Sequence, residues 1–227
     1  KNIDALFKKG LALAKISKYE KAIHNFDKIL EINSNHTDAI FQKGCSILNL
    51  KQYDSAIALF DTVISIDPDY LDALLQKGIA LSKKGDYNES LSCFEGILQK
   101  DSKNLLAICY KANTMRGLGQ YSDALSLYQK GLEISPTQKD LLLNKGRTLN
   151  LMGQYEKSLQ YFNKILDSKP ANYEALSEIG FTLMKMGHFE KAISYFDKSL
   201  ENNPKNIDAL TSKGMALFAS CSYSKAI

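Results

Sequence analysis

Residues 71–104 read LDALLQKGIALSKKGDYNESLSCFEGILQKDSKN, and the pattern of this stretch returns along the chain with a period of 34 residues. Gly78, Tyr87, Ser90 and Phe94 mark four places where the same residue type recurs in the other copies. Periods of about 20 to 50 residues are typical of proteins that stack one small structural unit many times. This stretch therefore predicts the fold of the whole chain.

Five columns of residues keep the 34-residue spacing. The first column is glycine, with Ala112 as its exception, and an aromatic residue follows nine places later in every copy. A small residue and a second aromatic residue come next, and all four prolines share one further column. The glycines are Gly10, Gly44, Gly78, Gly146, Gly180 and Gly214, and the prolines are Pro68, Pro136, Pro170 and Pro204.

Each period predicts two short helices. In the first copy Leu6, Gly10 and Leu13 recur at helical spacing, and Ala22 and Phe26 do so after a break. Later copies carry a glycine at this break, where the end of a helix commonly needs a left-handed residue. Those glycines are Gly85, Gly119, Gly153 and Gly187.

The proline column is expected to close the second helix of each pair, because proline cannot continue a helix but fits the first turn of the next. No stretch shows the strict alternation of apolar and polar residues that a half-buried strand requires. The sequence therefore predicts an all-α protein with paired helices of roughly 12–15 residues. Fourteen helices are expected if the last one begins near Ser224.

The composition excludes several classes of protein. The 29 basic and 25 acidic residues give a net charge of +4 and are dispersed along the chain. Nucleic-acid binding and polybasic membrane surfaces need clustered Lys and Arg, so neither is expected. No apolar run approaches the roughly 20 residues of a membrane span. The four cysteines form no CxxC pair, so reduced thiols and a cytoplasmic location are expected.

The residue types of an active site are not brought together by this pattern. His24, His36 and His188 fall at three different places of the period, and no His-x-x-x-His pair offers a metal site. The glycines follow the repeat and form no phosphate-binding loop. The carboxylates are spread over the copies, without an apolar pocket to raise one pKa for general acid–base work. We expect no catalytic residue, no cofactor and no metal.

The five columns resemble the tetratricopeptide repeat family along the whole chain. In that family's register the glycine is position 8, the aromatics are positions 17 and 24, the small residue is position 20 and the proline is position 32. The register divides residues 1–227 into repeats 3–36, 37–70, 71–104, 105–138, 139–172 and 173–206, with a partial seventh repeat over 207–227. The resemblance implies one array, a right-handed superhelical α-solenoid whose first helices line the concave side.

Position 7 departs from the leucine that is usual in the family. It holds lysine in every copy except one and resembles the prokaryotic and archaeal version of the repeat, "KGxAL". One interpretation is a stripe that binds anions. The favoured one is that each stem lies along apolar surface while its ammonium reaches water. The residues are Lys9, Lys43, Lys77, Lys111, Lys145 and Lys213, with Ile179 as the exception.

Positions 2, 5, 6 and 9 of the first helices face one side, which the resemblance identifies as the groove. In repeats 1 to 3 positions 5 and 9 are strongly apolar, and a contiguous exposed apolar strip usually marks a binding surface. The alternative is that neighbouring first helices bury these residues against each other. The candidate groove residues are Phe7, Leu11, Phe41, Gln42, Cys45, Leu75, Gln76, Ile79, Tyr110, Asn113, Asn144, Arg147 and Phe181.

The predicted function is that of a scaffold which holds an apolar or amphipathic segment of a protein or peptide in this groove. Phe7 and Phe41 are the expected anchors, because large aromatic residues dominate such interfaces. The set of cations and asparagines with which some family members hold the acidic C-terminus of heat-shock chaperones is missing. The alternative is a substrate-recruiting arm of a larger enzyme whose catalytic domain lies outside this sequence.

The partial seventh repeat offers a second surface. It stops before the aromatic residue of position 24, so Leu217, Phe218, Tyr223 and Ile227 lack their usual partners in the second helix. Either the natural chain continues with further repeats, or this end packs against another molecule. The second possibility predicts self-association, with Cys221 near the contact.

Overall fold

The computed structural model describes residues 2–224, with side chains described as far as Ser220. Its first helices are α1 (Ile3–Lys15), α3 (Thr37–Asn49), α5 (Leu71–Lys84), α7 (Leu105–Gly117), α9 (Lys139–Leu151), α11 (Tyr173–Lys185) and α13 (Ile207–Ser224). Its second helices are α2 (Tyr19–Leu30), α4 (Tyr53–Ile66), α6 (Tyr87–Lys100), α8 (Tyr121–Ile134), α10 (Tyr155–Ser168) and α12 (Phe189–Asn202).

The all-α prediction is confirmed over these residues, which contain no strand. Helices α1 to α12 have between 12 and 14 residues each, within the predicted length. All first helices begin 34 residues apart, and so do all second helices.

A side chain placed just before the first helix fixes where most of these helices begin. Asn2 Oδ1 accepts a hydrogen bond from the Ala5 amide at 3.1 Å, and Asn104 and Asn172 each cap their own helix at 3.0 Å. His36 Nδ1 caps α3 in the same way at 3.3 Å. Asparagine at this place satisfies an amide that would otherwise lack a partner at the start of the helix.

The turn inside each hairpin uses one residue with a left-handed backbone. Gly85 has a φ of 104°, and the φ values of Gly119, Gly153 and Gly187 are also positive. Ser17 and Lys51 take the same conformation in the first two copies, with φ values of 59° and 62°.

In repeat 7 the equivalent residue of the turn is Cys221, and α13 runs through it for 18 residues to Ser224. Over the described residues α13 is therefore continuous where the turn was expected, and no new helix begins up to Ser224. No glycine ends the helix here, since Gly214 is the last one in the chain. A fourteenth helix after Ser224 would lie outside the described residues.

Glycine at position 8 allows the two helices of a hairpin to touch. A Cβ atom built on Gly78 would lie 2.7 Å from Cε1 of Phe94, the aromatic residue of position 24. The glycines of repeats 1, 2, 5 and 6 give corresponding distances between 2.4 and 2.8 Å. Ser90 at position 20 adds a hydrogen bond at 2.8 Å to the Gly78 carbonyl oxygen. These contacts show why both positions hold small residues.

The chain divides into two compact units, Lys1–Leu118 and Gly119–Ile227. Within each unit every helix packs against the next along the chain. Successive first helices also touch, which brings α1, α3, α5 and α7 side by side in the first unit and α9, α11 and α13 in the second. Over the described range, no helix combines the length and apolar character that crossing a membrane would require.

Candidate functional site

We define the first-helix face as the surface formed by positions 2, 5, 6 and 9 of the first helices. In the first unit its apolar part is largely closed. Phe41 is 9% exposed and its ring lies 5.1 Å from that of Tyr70 and 6.0 Å from that of Phe60, measured between centroids. Leu75 and Ile79 are 7% and 8% exposed. The expectation of an exposed apolar strip is therefore wrong for these three residues, because they belong to the buried core.

Phe7 and Leu11 are more accessible than Phe41. Both are half-buried and pack against the small core of the first hairpin. The Phe7 ring lies 5.9 Å from that of Phe26 and stacks on His36 at 5.8 Å. Of the two predicted anchors, Phe7 therefore still exposes part of its side chain to solvent.

The middle of this face carries a group of polar atoms around Tyr70. The Tyr70 hydroxyl donates to Asp38 Oδ1 at 3.0 Å, and burial together with this bond raises the pKa of Tyr70 to about 12. Burial, with a smaller effect of the Asp72 charge, also raises the pKa of the Cys45 thiol to about 12. Cys45 is therefore a protonated thiol within the packing rather than a reactive group.

The remaining predicted residues of the first unit are polar or aromatic and partly exposed. Tyr110 stacks on Phe94 with 6.1 Å between ring centroids. The Asn113 amide approaches Cys109 Sγ at 3.8 Å within the same helix. Gln42 and Gln76 are both half-buried at position 6.

In the second unit the first-helix face opens into a cavity of about 380 Å³ between α11 and α13. Every residue that lines it occupies position 2, 5, 6 or 9 of repeat 6 or repeat 7. These residues are Ser177, Glu178, Phe181, Asp208, Thr211, Ser212 and Met215. We call this space the α11–α13 cavity.

The α11–α13 cavity is open because position 5 carries a small side chain on both of its helices. Position 5 holds Ser177 and Thr211 here, whereas it holds Phe41 and Leu75 in the first unit. Met215 is 50% exposed at one wall of the cavity. The apolar surface of this face is therefore accessible in repeats 6 and 7.

A neighbouring space of about 520 Å³ shares Ser177, Glu178 and Asp208 with the α11–α13 cavity and reaches Arg147 and Lys205. Arg147 Nε lies 2.6 Å from Glu178 Oε1, and only 19% of the Glu178 side chain is exposed. This ion pair fixes a guanidinium and a carboxylate at the boundary between the two spaces.

Three predicted residues lie in the second unit, and two of them line these spaces. Phe181 lines the α11–α13 cavity and Arg147 lines its neighbour, while the Asn144 amide donates to the Asp140 carbonyl oxygen at 2.9 Å within α9. The other predicted residues belong to the first unit. The predicted groove residues did not include Ser177, Glu178, Asp208, Thr211, Ser212 and Met215, although the small side chains of Ser177, Thr211 and Ser212 were a usable signal.

No group of three or more His, Cys, Asp or Glu side chains that could hold a metal ion occurs in the part of the chain that the structure describes. Cys45, Cys93 and Cys109 form no disulfide.

Three family models, each described as tetratricopeptide repeat, match the chain over residues 3–36, 48–109, 115–178 and 173–206. The first and last of these ranges coincide with repeats 1 and 6 of the sequence register. No curated protein matches the chain significantly in sequence.

Solved structures with the same fold share little sequence with the chain. A tetratricopeptide repeat protein from Parabacteroides merdae ATCC 43184 has a TM-score of 0.83 and 15% identity, covering 95% of this chain and 84% of that one. PilW, a type IV pilus biogenesis factor, gives 0.77 and 20%, with 92% and 97% covered. YrrB gives 0.55 and 22%, with 83% and 97% covered. Because one family model alone spans more than half of its length, the chain belongs to the tetratricopeptide repeat family.

Proposed function

We propose that this protein is a scaffold that binds an apolar or amphipathic segment of another protein on the first-helix face of its second unit. The observation that supports this most is the α11–α13 cavity, whose lining consists of the positions that the repeat directs to this face. Its volume of about 380 Å³ is within the usual range of ligand pockets, about 300–1,000 Å³. The function is binding, without a catalytic step.

The chemistry of the lining indicates the kind of segment. Phe181 and Met215 offer apolar surface to an aliphatic or aromatic side chain, and methionine adapts its shape to different partners. The hydroxyls of Ser177, Thr211 and Ser212 can bond to the backbone of an extended peptide. The exposed Asp208 carboxylate favours a basic or amide-bearing residue beside the apolar one.

A structural relative agrees with this kind of function. YrrB is described as a tetratricopeptide repeat protein with an unusual peptide-binding site. In the present chain the proposal also retains the half-buried Phe7, Leu11, Gln42 and Gln76 as a weaker contact surface of the first unit. The cytoplasm is the proposed location, because Cys45 and Cys93 are free thiols.

Self-association through repeat 7 is part of the proposal. Leu210 and Leu217, at positions 4 and 11, are 50% and 45% exposed, although these positions are normally buried in a hairpin. Phe218 is 78% exposed, whereas the side chains of Cys221, Tyr223 and Ile227 lie outside the described residues. Sedimentation should show association of the 227-residue chain that Leu217→Lys abolishes, and a monomer at every concentration would refute it.

Binding is tested with a peptide selected from a random display library on the full chain. Isothermal titration calorimetry then compares the parent with Phe181→Ala and Met215→Ala. Each substitution should weaken binding by more than about tenfold, since anchors of an interface are typically worth 1 to 2 kcal/mol or more. The matched control is Leu151→Ala, which removes an exposed apolar side chain (60%) of the same unit outside the cavity.

The outcome that overturns the proposed site is unchanged affinity in the Phe181→Ala, Met215→Ala double variant. If Phe7→Ala is then the variant that weakens binding, the segment lies on the first unit. If a library with more than about 10⁹ members yields no binder to the folded chain, the binding function itself fails, since micromolar affinity needs only about 8 kcal/mol.

A further inference from the structure

The first unit contains a cavity that the proposed function does not use. Its volume is about 520 Å³, and it lies among α4, α5 and α6. The lining residues are Ile57, Asp61, Leu74, Lys77, Leu81, Glu89, Ser92 and Cys93. None of them occupies position 2, 5, 6 or 9, so this α4–α6 cavity is separate from the first-helix face.

A comparison with repeat 5 shows what is missing from the α4–α6 cavity. Position 23 is Cys93 in repeat 3 but Tyr161 in repeat 5. There the ammonium of Lys145, at position 7, lies 4.6 Å from the centroid of the Tyr161 ring. The same ammonium donates to Gln129 Oε1 at 2.6 Å. A lysine, its polar partner and a tyrosine ring thus form one group.

Repeat 3 has the same frame without the ring. Lys77 stands at position 7 and its ammonium lies 2.5 Å from Asp61 Oδ1, where Asp61 is at the place of Gln129. Cys93 is 7% exposed and fills only a small part of the volume that a tyrosine would take. Repeat 6 also has tyrosine at position 23, Tyr195, with the Lys198 ammonium 5.1 Å from its centroid.

The rest of the lining suits an aromatic ring. Leu74 and Leu81 of α5 and Ile57 of α4 supply apolar contacts. Position 26 is Gly96 in α6, where repeats 4 to 6 have lysine, so no long side chain from that position lies over the opening. Burial raises the pKa of the Cys93 thiol, while the Lys77 charge acts in the opposite direction, which agrees with a protonated thiol beside an ammonium.

We propose that the α4–α6 cavity binds the side chain of a tyrosine or phenylalanine from a partner protein. The ring takes the place that Tyr161 occupies in repeat 5, with its face toward the Lys77 ammonium and its edge on Leu74 and Leu81. An ammonium over an aromatic face attracts it through the ring quadrupole. The surface is therefore a second contact point, independent of the first-helix face.

The probe for this proposal is N-acetyl-L-tyrosinamide, titrated into the full chain and followed by protein NMR. The comparison ligand is N-acetyl-L-leucinamide, which has apolar volume but no ring. We expect saturable shifts of the resonances of Leu74, Leu81 and Cys93, with the tyrosine compound favoured by about two- to fivefold for a partly exposed cation–π contact. The Lys77→Met variant keeps the stem and should remove this preference.

Cys93→Tyr copies repeat 5 and should abolish the shifts by filling the cavity. The proposal is overturned by a folded parent without saturable shifts at these residues, or by equal shifts in folded Cys93→Tyr protein. If Cys93→Tyr does not fold, Lys77→Met decides alone, and an unchanged preference for the tyrosine compound overturns the proposal.

Discussion

The Lys43 ammonium lies 2.6 Å from Asp27 Oδ1, which joins the first helix of repeat 2 to the second helix of repeat 1. The same pairing of position 7 with position 25 of the preceding repeat recurs along each unit. The further pairs are Lys77 with Asp61 at 2.5 Å, Lys111 with Glu95 at 2.9 Å and Lys213 with Asp197 at 2.5 Å.

The two repeats without such an ion pair also match the residue at position 7 to the one at position 25 of the preceding repeat. Lys145 meets Gln129 instead of a carboxylate, and where position 7 is Ile179 the preceding position 25 is the uncharged Asn163. The favoured interpretation of the lysines, with the ammonium in water, is therefore incomplete. Four of them are neutralised by a carboxylate, which also argues against a stripe for anions.

The first prediction concerns the Lys111–Glu95 pair, whose lysine side chain is 16% exposed. A double-mutant cycle of Lys111→Met and Glu95→Gln should give a coupling of about 0.2–1 kcal/mol in chemical denaturation, because one partner is solvated. The coupling should shrink in high salt. Lys130→Met, at an exposed position, is the control and should change the free energy of unfolding by less than about 0.5 kcal/mol. A coupling of zero at low salt would mean that the pair does not hold the repeats together.

The second prediction compares two glycines at position 8. Gly78→Ala should destabilise the protein by about 1–3 kcal/mol, because the new Cβ would force the Phe94 ring away. Gly214→Ala is the matched control, since a Cβ there meets no atom within 4 Å. It should be neutral or stabilising, as alanine is the better helix former. Equal melting temperatures of the two variants would refute the close-contact role of position 8.

The third prediction separates a core residue from a binding residue. Phe41→Ala should cost about 3–5 kcal/mol of unfolding free energy, as is usual for a buried phenylalanine. Phe181→Ala should cost clearly less, because its ring is half-buried beside an open cavity. Urea denaturation of both variants measures the difference. If the Phe41→Ala protein is as stable as the parent, the core does not depend on Phe41, and Phe41 would again be a predicted anchor of the groove.

The fold could be predicted almost completely from the sequence. The columns set by Gly78, Tyr87 and Phe94 gave the type of helix pair and its period, because close contact and ring packing demand those residue types. The end of α13 could not be predicted in this way. Ser17 and Lys51 adopt the left-handed backbone conformation although they are not glycine. The presence of Cys221 instead of glycine at this place therefore did not by itself predict a continuous helix.

The site was predicted only in part, for a physical reason. A helical pattern states which face a residue lies on, but its exposure depends on residues far along the chain. Phe41 is covered by Tyr70, 29 residues later, whereas the corresponding residues of repeat 6 are Ser177 and Asn206. Side-chain volume at these two places decides whether the face is closed or open.

The fourth prediction follows from the Cys45 thiol, whose pKa is raised from 9.0 to about 12 by burial. Folding favours the protonated thiol. The stability that this preference contributes to the folded state is therefore complete below pH 9.0 and is lost as the pH rises toward about 12. At pH 8.5 iodoacetamide should modify Cys45 more slowly in the folded than in the urea-unfolded chain, by about two to three orders of magnitude. Mass spectrometry of the Cys45 peptide gives both rates. Equal rates would show that the thiol is not buried.

The most direct measurement of the central claim is where a bound segment lies. A photoreactive benzoylphenylalanine replaces the apolar anchor of the selected peptide, and cross-links to the full chain are mapped by mass spectrometry. We predict cross-links to Met215 and Phe181, the apolar walls of the α11–α13 cavity. Cross-links confined to α1 through α6, with none on α11 or α13, would contradict the account.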